Sequence, residues 1–167
     1  FIIILYVKSK LLFVMPNTYT QLYTHFVFAV KSPQMKIKPE WNDDLQKYIS
    51  GITKNLQCKM LAINNVADHI HLFVARHPAI SEAEFAQRSK NNSSRWVNTR
   101  NWMRHPFYWQ TGYGAFTYGH SQIDSVCKYI ANQQNHHKKW TFRQEYINFL
   151  KKFGIDYDDQ YLFDFFD

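Results

Sequence analysis

The chain has 167 residues, enough for one packed domain and too few for two comfortable ones. It is basic, with 20 Lys and Arg against 13 Asp and Glu for a formal net charge of +7, and 18% of its residues are aromatic. That mixture suits a surface that meets phosphates and stacks on unpaired bases, although charge by itself also fits a protein that merely stays soluble. Two cysteines, Cys58 and Cys127, have no metal-ligand spacing between them. They argue against a disulfide framework and a structural zinc site, and they suit a reducing cytoplasm.

Residues 1–14 are apolar but carry Lys8 and Lys10 and are far too short to span a bilayer. They lack the basic start and small-residue cleavage site of a secretory signal. Met15 is the expected biological start, with 1–14 an apolar extension upstream of it. From Thr18 to Val30 the chain is rich in Thr, Tyr, Phe and Val and reads as a long first strand, ended by Lys31-Ser32-Pro33. A helix is predicted from Glu40 to about Leu56, with Trp41, Leu45, Tyr48, Ile52 and Leu56 on one stripe. Lys59 to Val66 and His69 to Ala75 read as two strands, and the short connection at Asp68 predicts a hairpin.

Ser81 and Glu84 make a capping-box pattern that opens a helix to about Met103. The middle of that helix, Gln87 to Trp96, is polar and basic, which fits either a solvated face or a face that meets a polyanion. Phe107-Tyr108-Trp109 is a short strand candidate, and Gly112 to Tyr118 reads as a turn followed by a further strand. Ser121 caps a predicted helix to about Asn135 whose buried stripe is Ile123, Val126, Cys127 and Ile130. Thr141 and Gln144 form another capping box, and Gly154 is a natural C′ residue for the last helix. The order strand, helix, strand, strand, helix, strand, then two helices predicts an α+β fold. It is a ferredoxin-like βαββαβ sandwich, an antiparallel sheet with helices on one face, plus C-terminal helices. One domain over residues 15–157 and an acidic aromatic tail over 158–167 are expected.

Two stretches carry chemistry. His69 and His71 are two apart on a strand, so they share one face while Ile70 and Leu72 share the other. Two imidazoles so fixed can hold a divalent metal; they can equally be surface histidines on a solvated sheet face. Tyr129 and Gln133 are four apart on a predicted helix and therefore adjacent on it. Tyrosine is a possible nucleophile if a base or metal helps it, and the glutamine oxygen suits Mg²⁺ or Mn²⁺. A surface tyrosine packed on a neighbour is the plainer alternative. The remaining histidines are taken as surface or core residues, with His136 the nearest to a site.

Asp68-His69-Ile70-His71-Leu72-Phe73-Val74 resembles the His-hydrophobe-His motif of the HUH nucleases, and Tyr129-Ile130-Ala131-Asn132-Gln133 resembles the tyrosine helix of their single-tyrosine transposases. These are the TnpA-type enzymes of small insertion sequences and their REP-associated relatives. The opening from Asn17 to Lys31, the basic stretch with Lys90 and Ser93-Ser94-Arg95-Trp96, and Trp109 to Phe116 resemble further family segments in the same order. The resemblance implies a metal-assisted transposase, with Mg²⁺ or Mn²⁺ on His69, His71 and Gln133, and Tyr129 as nucleophile. It implies a 5′-phosphotyrosine intermediate on single-stranded DNA, hairpins near the element ends as substrates, and a homodimer in which many members use the partner's tyrosine helix. Lys90, Arg95, Arg100 and Arg104 are the expected phosphate contacts on the polar helix. The rival expectation is a domesticated transposase, or a non-catalytic ferredoxin-like module that binds single-stranded nucleic acid.

Overall fold

The computed structural model describes residues 19–166. Residues 1–14, Met15 and the start of the predicted first strand lie outside the described residues. Four strands, β1 (Tyr23–Ala29), β2 (Lys59–Asn65), β3 (His69–Ala75) and β4 (Gly114–Tyr118), form one sheet in the order β2-β3-β1-β4. All three pairings are antiparallel. Helices α1 (Pro39–Asn55) and α2 (Glu82–Thr99) complete the βαββαβ unit, and α3 (Ile123–Ala131), α4 (Gln133–His136) and α5 (Phe142–Lys152) follow it. The fold is the ferredoxin-like α+β arrangement that the element order predicts.

Strand alternation divides the molecule. Phe26 and Phe28 of β1 and Ile70, Leu72 and Val74 of β3 join Trp41, Leu45, Ile49 and Phe85 from α1 and α2 in the larger core. Phe26 stacks on Phe85 with ring centroids 4.7 Å apart, and Tyr48 of α1 stacks on Trp96 of α2 at 4.4 Å. The opposite face is covered by the C-terminal helices. Val27, Ala29 and Phe116 meet Phe142, Tyr146, Phe149 and Leu150 of α5, and Phe73 meets Val126 and Ile130 of α3. Both faces of the central strands are therefore buried, and His69 and His71 are not on a solvated face.

Four predicted boundaries move, each for a local reason. Phe107-Tyr108-Trp109 forms only an isolated bridge, Val30 to Trp109. The Asn98 side chain takes both the Phe107 N–H, at 2.6 Å, and its carbonyl, at 3.1 Å, so no strand ladder is needed there. Helix α2 stops at Thr99 rather than Met103, because Asn101 sits in the left-handed region at φ 55°. Ser121 caps nothing; a 3-10 turn over His120–Gln122 leads into α3 instead. The predicted helix to Asn135 breaks after Ala131, where the Asn64 side chain on β2 donates to the carbonyls of Ile130 and Ala131 at 2.9 and 3.1 Å. Those oxygens would otherwise accept the next turn of helical hydrogen bonds. Helix α5 begins with the expected reciprocal capping box of Thr141 and Gln144, and Gly154 ends it at φ 62°.

The tail docks. Phe163 is buried against Phe142 and Tyr146, and the Gln110 amide bonds the backbone of Asp164 through both its nitrogen, at 2.7 Å, and its oxygen, at 2.8 Å. Gly114 on β4 lets α5 approach closely: a Cβ there would stand 2.9 Å from the Tyr146 ring and 3.1 Å from the Phe116 ring. Gly114→Val is expected to destabilise the protein by about 1–3 kcal/mol through overpacking. Urea unfolding checks this.

Candidate active site

The strand alternation that sends Ile70 and Leu72 into the larger core sends His69 and His71 toward α5, and both are fully buried. The residue that meets them is Glu145. It lies on the apolar stripe of α5 with Phe142, Tyr146, Phe149 and Leu150, and it is itself buried. Its Oε2 stands 3.3 Å from His69 Nε2, 3.4 Å from His71 Nε2 and 3.1 Å from His137 Nε2. Its Oε1 accepts a hydrogen bond from the Tyr129 hydroxyl and another, at 3.0 Å, from Gln133 Nε2. One carboxylate thus ties together both histidines of the strand, the tyrosine of α3 and the glutamine of α4. His136 lies a little farther from it, at 3.6 Å from Oε1, so His137 and not His136 is the downstream histidine at the centre.

The outer nitrogens are occupied. His69 Nδ1 is 2.7 Å from Asp68 Oδ1, His71 Nδ1 is 2.8 Å from His25 Nε2, and His137 Nδ1 is 2.9 Å from the Trp140 carbonyl. Such partners fix the ring orientation and leave Nε2 to face the centre. The Nε2 atoms of His69 and His71 and the Oε1 of Gln133 are buried and make no hydrogen bond. These atoms, with the likewise unpartnered His136 Nε2, lie around a carboxylate and are what a bound cation would satisfy. A ligand atom from each of His69, His71, His137 and Glu145 lies within 4.8 Å of the others. Imidazole and carboxylate donors at that spacing fit a divalent metal.

Charge follows the geometry. Burial pushes the Glu145 carboxyl up, but the imidazoles of His71, His137 and His69 outweigh it and hold the group far below the ordinary carboxylate range. Burial lowers His71 and, more strongly, His25, so both rest neutral. His69 is also buried, yet Asp68 and Glu145 raise it above the ordinary histidine value. Burial, and then the Glu145 charge, raises the Tyr129 hydroxyl, which therefore holds its proton at neutral pH.

The family model for IS200-like transposases matches residues 18–133. The chain belongs to the IS200-like transposase family. It is an enzyme of transposase type, and the family's use of a divalent metal agrees with the His and Glu cluster. Two solved structures share the fold. One is a candidate transposase from Deinococcus radiodurans, 20% identical, with a TM-score of 0.56 over 70% of this chain and 94% of that one. The other is a REP-associated tyrosine transposase described as bound to a REP hairpin, 12% identical, with a TM-score of 0.56 over 90% of this chain and 91% of that one. No protein of curated function matches.

In this transposase Tyr129 and Gln133 are not on one continuous helix, because the break after Ala131 separates them, yet both reach Glu145. A cleft of about 310 Å³ opens beside Tyr129 and Glu145, lined also by Trp140, Asn148 and Lys152. On α2, Arg95, Arg100 and Arg104 beyond its end are exposed, and the Arg100 guanidinium lies over the rings of Trp96 and Trp102. Lys90 differs: its Nζ donates to the carbonyls of Gln110, at 2.6 Å, and Gly112, at 2.5 Å. Among the described residues no helix is long and apolar enough to cross a membrane.

The shifts set the acid behaviour of the metal-free transposase. For Glu145, His71 and His25 the folded pKa is depressed, so stability is full above the unfolded value and is lost as pH falls below it. His69, raised, acts in the opposite sense: its contribution is full below the unfolded value and is lost as pH rises through the folded one. His136 is depressed as well, and three depressed histidines against one raised give a net loss beginning below about pH 6.5, and a steeper one below about pH 4.3. In Glu145→Gln the lower step is expected to shrink markedly. Urea unfolding across pH 7.5 to 3.5, a range chosen to bracket both about-6.5 and about-4.3 reference values, checks this.

Proposed function

We propose that the chain cuts and rejoins single-stranded DNA through a 5′-phosphotyrosine on Tyr129, recognising DNA hairpins, with a divalent metal such as Mg²⁺ or Mn²⁺ held by His69, His71 and Gln133. One observation carries the reading. The Tyr129 hydroxyl, at the cleft, bonds a carboxylate that lies 3.3 and 3.4 Å from the strand histidines, so one carboxylate links the nucleophile to the candidate metal ligands buried behind it. The unpartnered Nε2 atoms of both histidines and Oε1 of Gln133 support the metal assignment. When bound, the metal supplies a positive charge that polarises the scissile phosphate and offsets the carboxylate that otherwise keeps the phenol protonated.

The chain's own residues do the rest. The Tyr129 oxygen attacks phosphorus, the bond from phosphorus to the 3′ oxygen breaks, and the phenol proton has Glu145 Oε1 as its nearest acceptor. The products are a 5′-phosphotyrosine and a strand with a free 3′-hydroxyl; attack by that hydroxyl, or by another, reverses the step and rejoins DNA without ATP. Trp140, 46% exposed at the cleft, offers a ring for an unpaired base, and Lys152 a cation for a neighbouring phosphate. Tyr129 reaches the carboxylate beneath the histidines of its own chain, which supports action in cis within the expected homodimer. The relative described as bound to a REP hairpin supports hairpin DNA as the ligand class.

Tyr129→Phe is expected to abolish the protein–DNA adduct seen on a denaturing gel with a labelled hairpin and Mg²⁺ or Mn²⁺, while hairpin binding stays nearly intact. Cutting that survives the substitution without an adduct would point to water as nucleophile and end the reading. Arg95, Arg100 and Arg104 are proposed phosphate contacts, so each change to Ala should weaken binding of all hairpins alike and lower the salt slope by about one contact. Lys90→Ala should instead cost about 1–2 kcal/mol of stability in urea unfolding, because its ammonium is bound to two carbonyls.

A further inference from the structure

We infer that Glu145 and His137 are themselves metal ligands, which gives this transposase a site of three imidazoles and one carboxylate that selects a transition-metal ion over Mg²⁺. The inference rests on the proposal that a metal binds at His69 and His71; it replaces Gln133, whose amide nitrogen faces Glu145, with two ligands that no motif contains. Both residues lie outside the segment matched by the family model, which ends at Gln133.

Three observations converge. First, each of the three imidazoles has its Nδ1 engaged from outside, by the Asp68 carboxylate, by His25 and by the Trp140 carbonyl. A carbonyl only accepts, so His137 Nδ1 carries a hydrogen, and the ionised Asp68 makes the same demand on His69. The Nε2 atoms of all three rings then face inward. Second, they face an anion. Glu145 Oε2 lies 3.1, 3.3 and 3.4 Å from the three Nε2 atoms, and two of these make no hydrogen bond to it. Two buried ring nitrogens with no hydrogen-bond partner, packed against a carboxylate, are what a bound cation would satisfy. Third, the spacing suits donors that share one ion. Bonds of 2.0–2.2 Å set the donors of a tetrahedral ion about 3.3–3.6 Å apart, close to the separations here.

The donor set also ranks the metals. Imidazole favours Zn²⁺ and its transition-metal neighbours, whereas Mg²⁺ prefers oxygen donors and keeps its waters. Three nitrogens to one carboxylate therefore favour Zn²⁺ strongly, with Mn²⁺ between them. Glu145 can serve metal and nucleophile together, because Oε2 faces the imidazoles and Oε1 receives the Tyr129 hydroxyl.

The test is isothermal titration of the metal-free full chain with Zn²⁺, Mn²⁺ and Mg²⁺, each alone and without DNA, beside Glu145→Gln, His137→Gln and His69→Gln, with thermal melts to check folding. The wild type should bind Zn²⁺ at least about 100-fold more tightly than Mg²⁺. Glu145→Gln and His137→Gln should each weaken Zn²⁺ at least about tenfold. Should Glu145→Gln fail to fold, His137→Gln on the half-buried ligand carries the test. Wild-type Zn²⁺ affinity in the two downstream variants, with loss only in His69→Gln, overturns the inference and leaves the metal reading standing. Equal affinity for Mg²⁺ and Zn²⁺ also overturns it. A wild type that binds none of the three ions, or a His69→Gln that binds as the wild type does, removes the metal reading and the inference with it.

Discussion

A single buried carboxylate organises this molecule. Glu145 enters an apolar face that would ordinarily exclude it, and an isolated charge there would be expelled or neutralised. It stays ionised because three imidazoles, a phenol and an amide surround it. Those five groups come from β3, α3, α4 and the turn beyond α4, while the carboxylate comes from α5. The site is thus a point of closure for the C-terminal half of the chain. The second layer of the fold and the chemistry rest on the same contacts, and a change that loosens α5 from the sheet dismantles both.

The sheet makes this possible by having two buried faces. In a two-layer ferredoxin-like unit the far side of β1 and β3 would meet water, and His25, His69 and His71 would be ordinary solvated histidines. Covering that side with α3 and α5 removes water from all three rings, which shifts their protonation and leaves His25 free to brace His71. Close approach of α5 depends in turn on Gly114, where a side chain would meet the Tyr146 ring, and Tyr146 is the neighbour of Glu145.

Much of this was legible in the sequence, and the limits have physical causes. The alternation of β3 assigned His69 and His71 to a common face because a strand's period of two admits no other outcome. The element order led to the ferredoxin-like fold, since each helix and strand kept its own period. Contacts between distant segments were not legible. His137 reaches the carboxylate more closely than His136 does, and adjacent residues on a short helical turn offer no periodic signal to separate them. Glu145 left one trace: in the run Phe142, Glu145, Tyr146, Phe149, Leu150 it occupies a position where the helical stripe calls for an apolar side chain. An acid in such a place needs buried partners, and that reasoning would have found it. Lys90 shows the reverse limit, since the sequence marks a cation on a polar helix but not that its partners are carbonyls of a later loop.

The interruption after Ala131 has a consequence for how such a site can diversify. In an unbroken helix an inserted or deleted residue rotates everything downstream by about 100° about the axis, so nucleophile and ligand would lose register together. Here Asn64 ends the first segment by taking the carbonyls of Ile130 and Ala131, and a new turn begins at Gln133. The joint absorbs small changes in chain length. It lets the segment that carries Tyr129 and the segment that carries Gln133 and His137 be tuned as separate modules around a carboxylate that neither of them supplies.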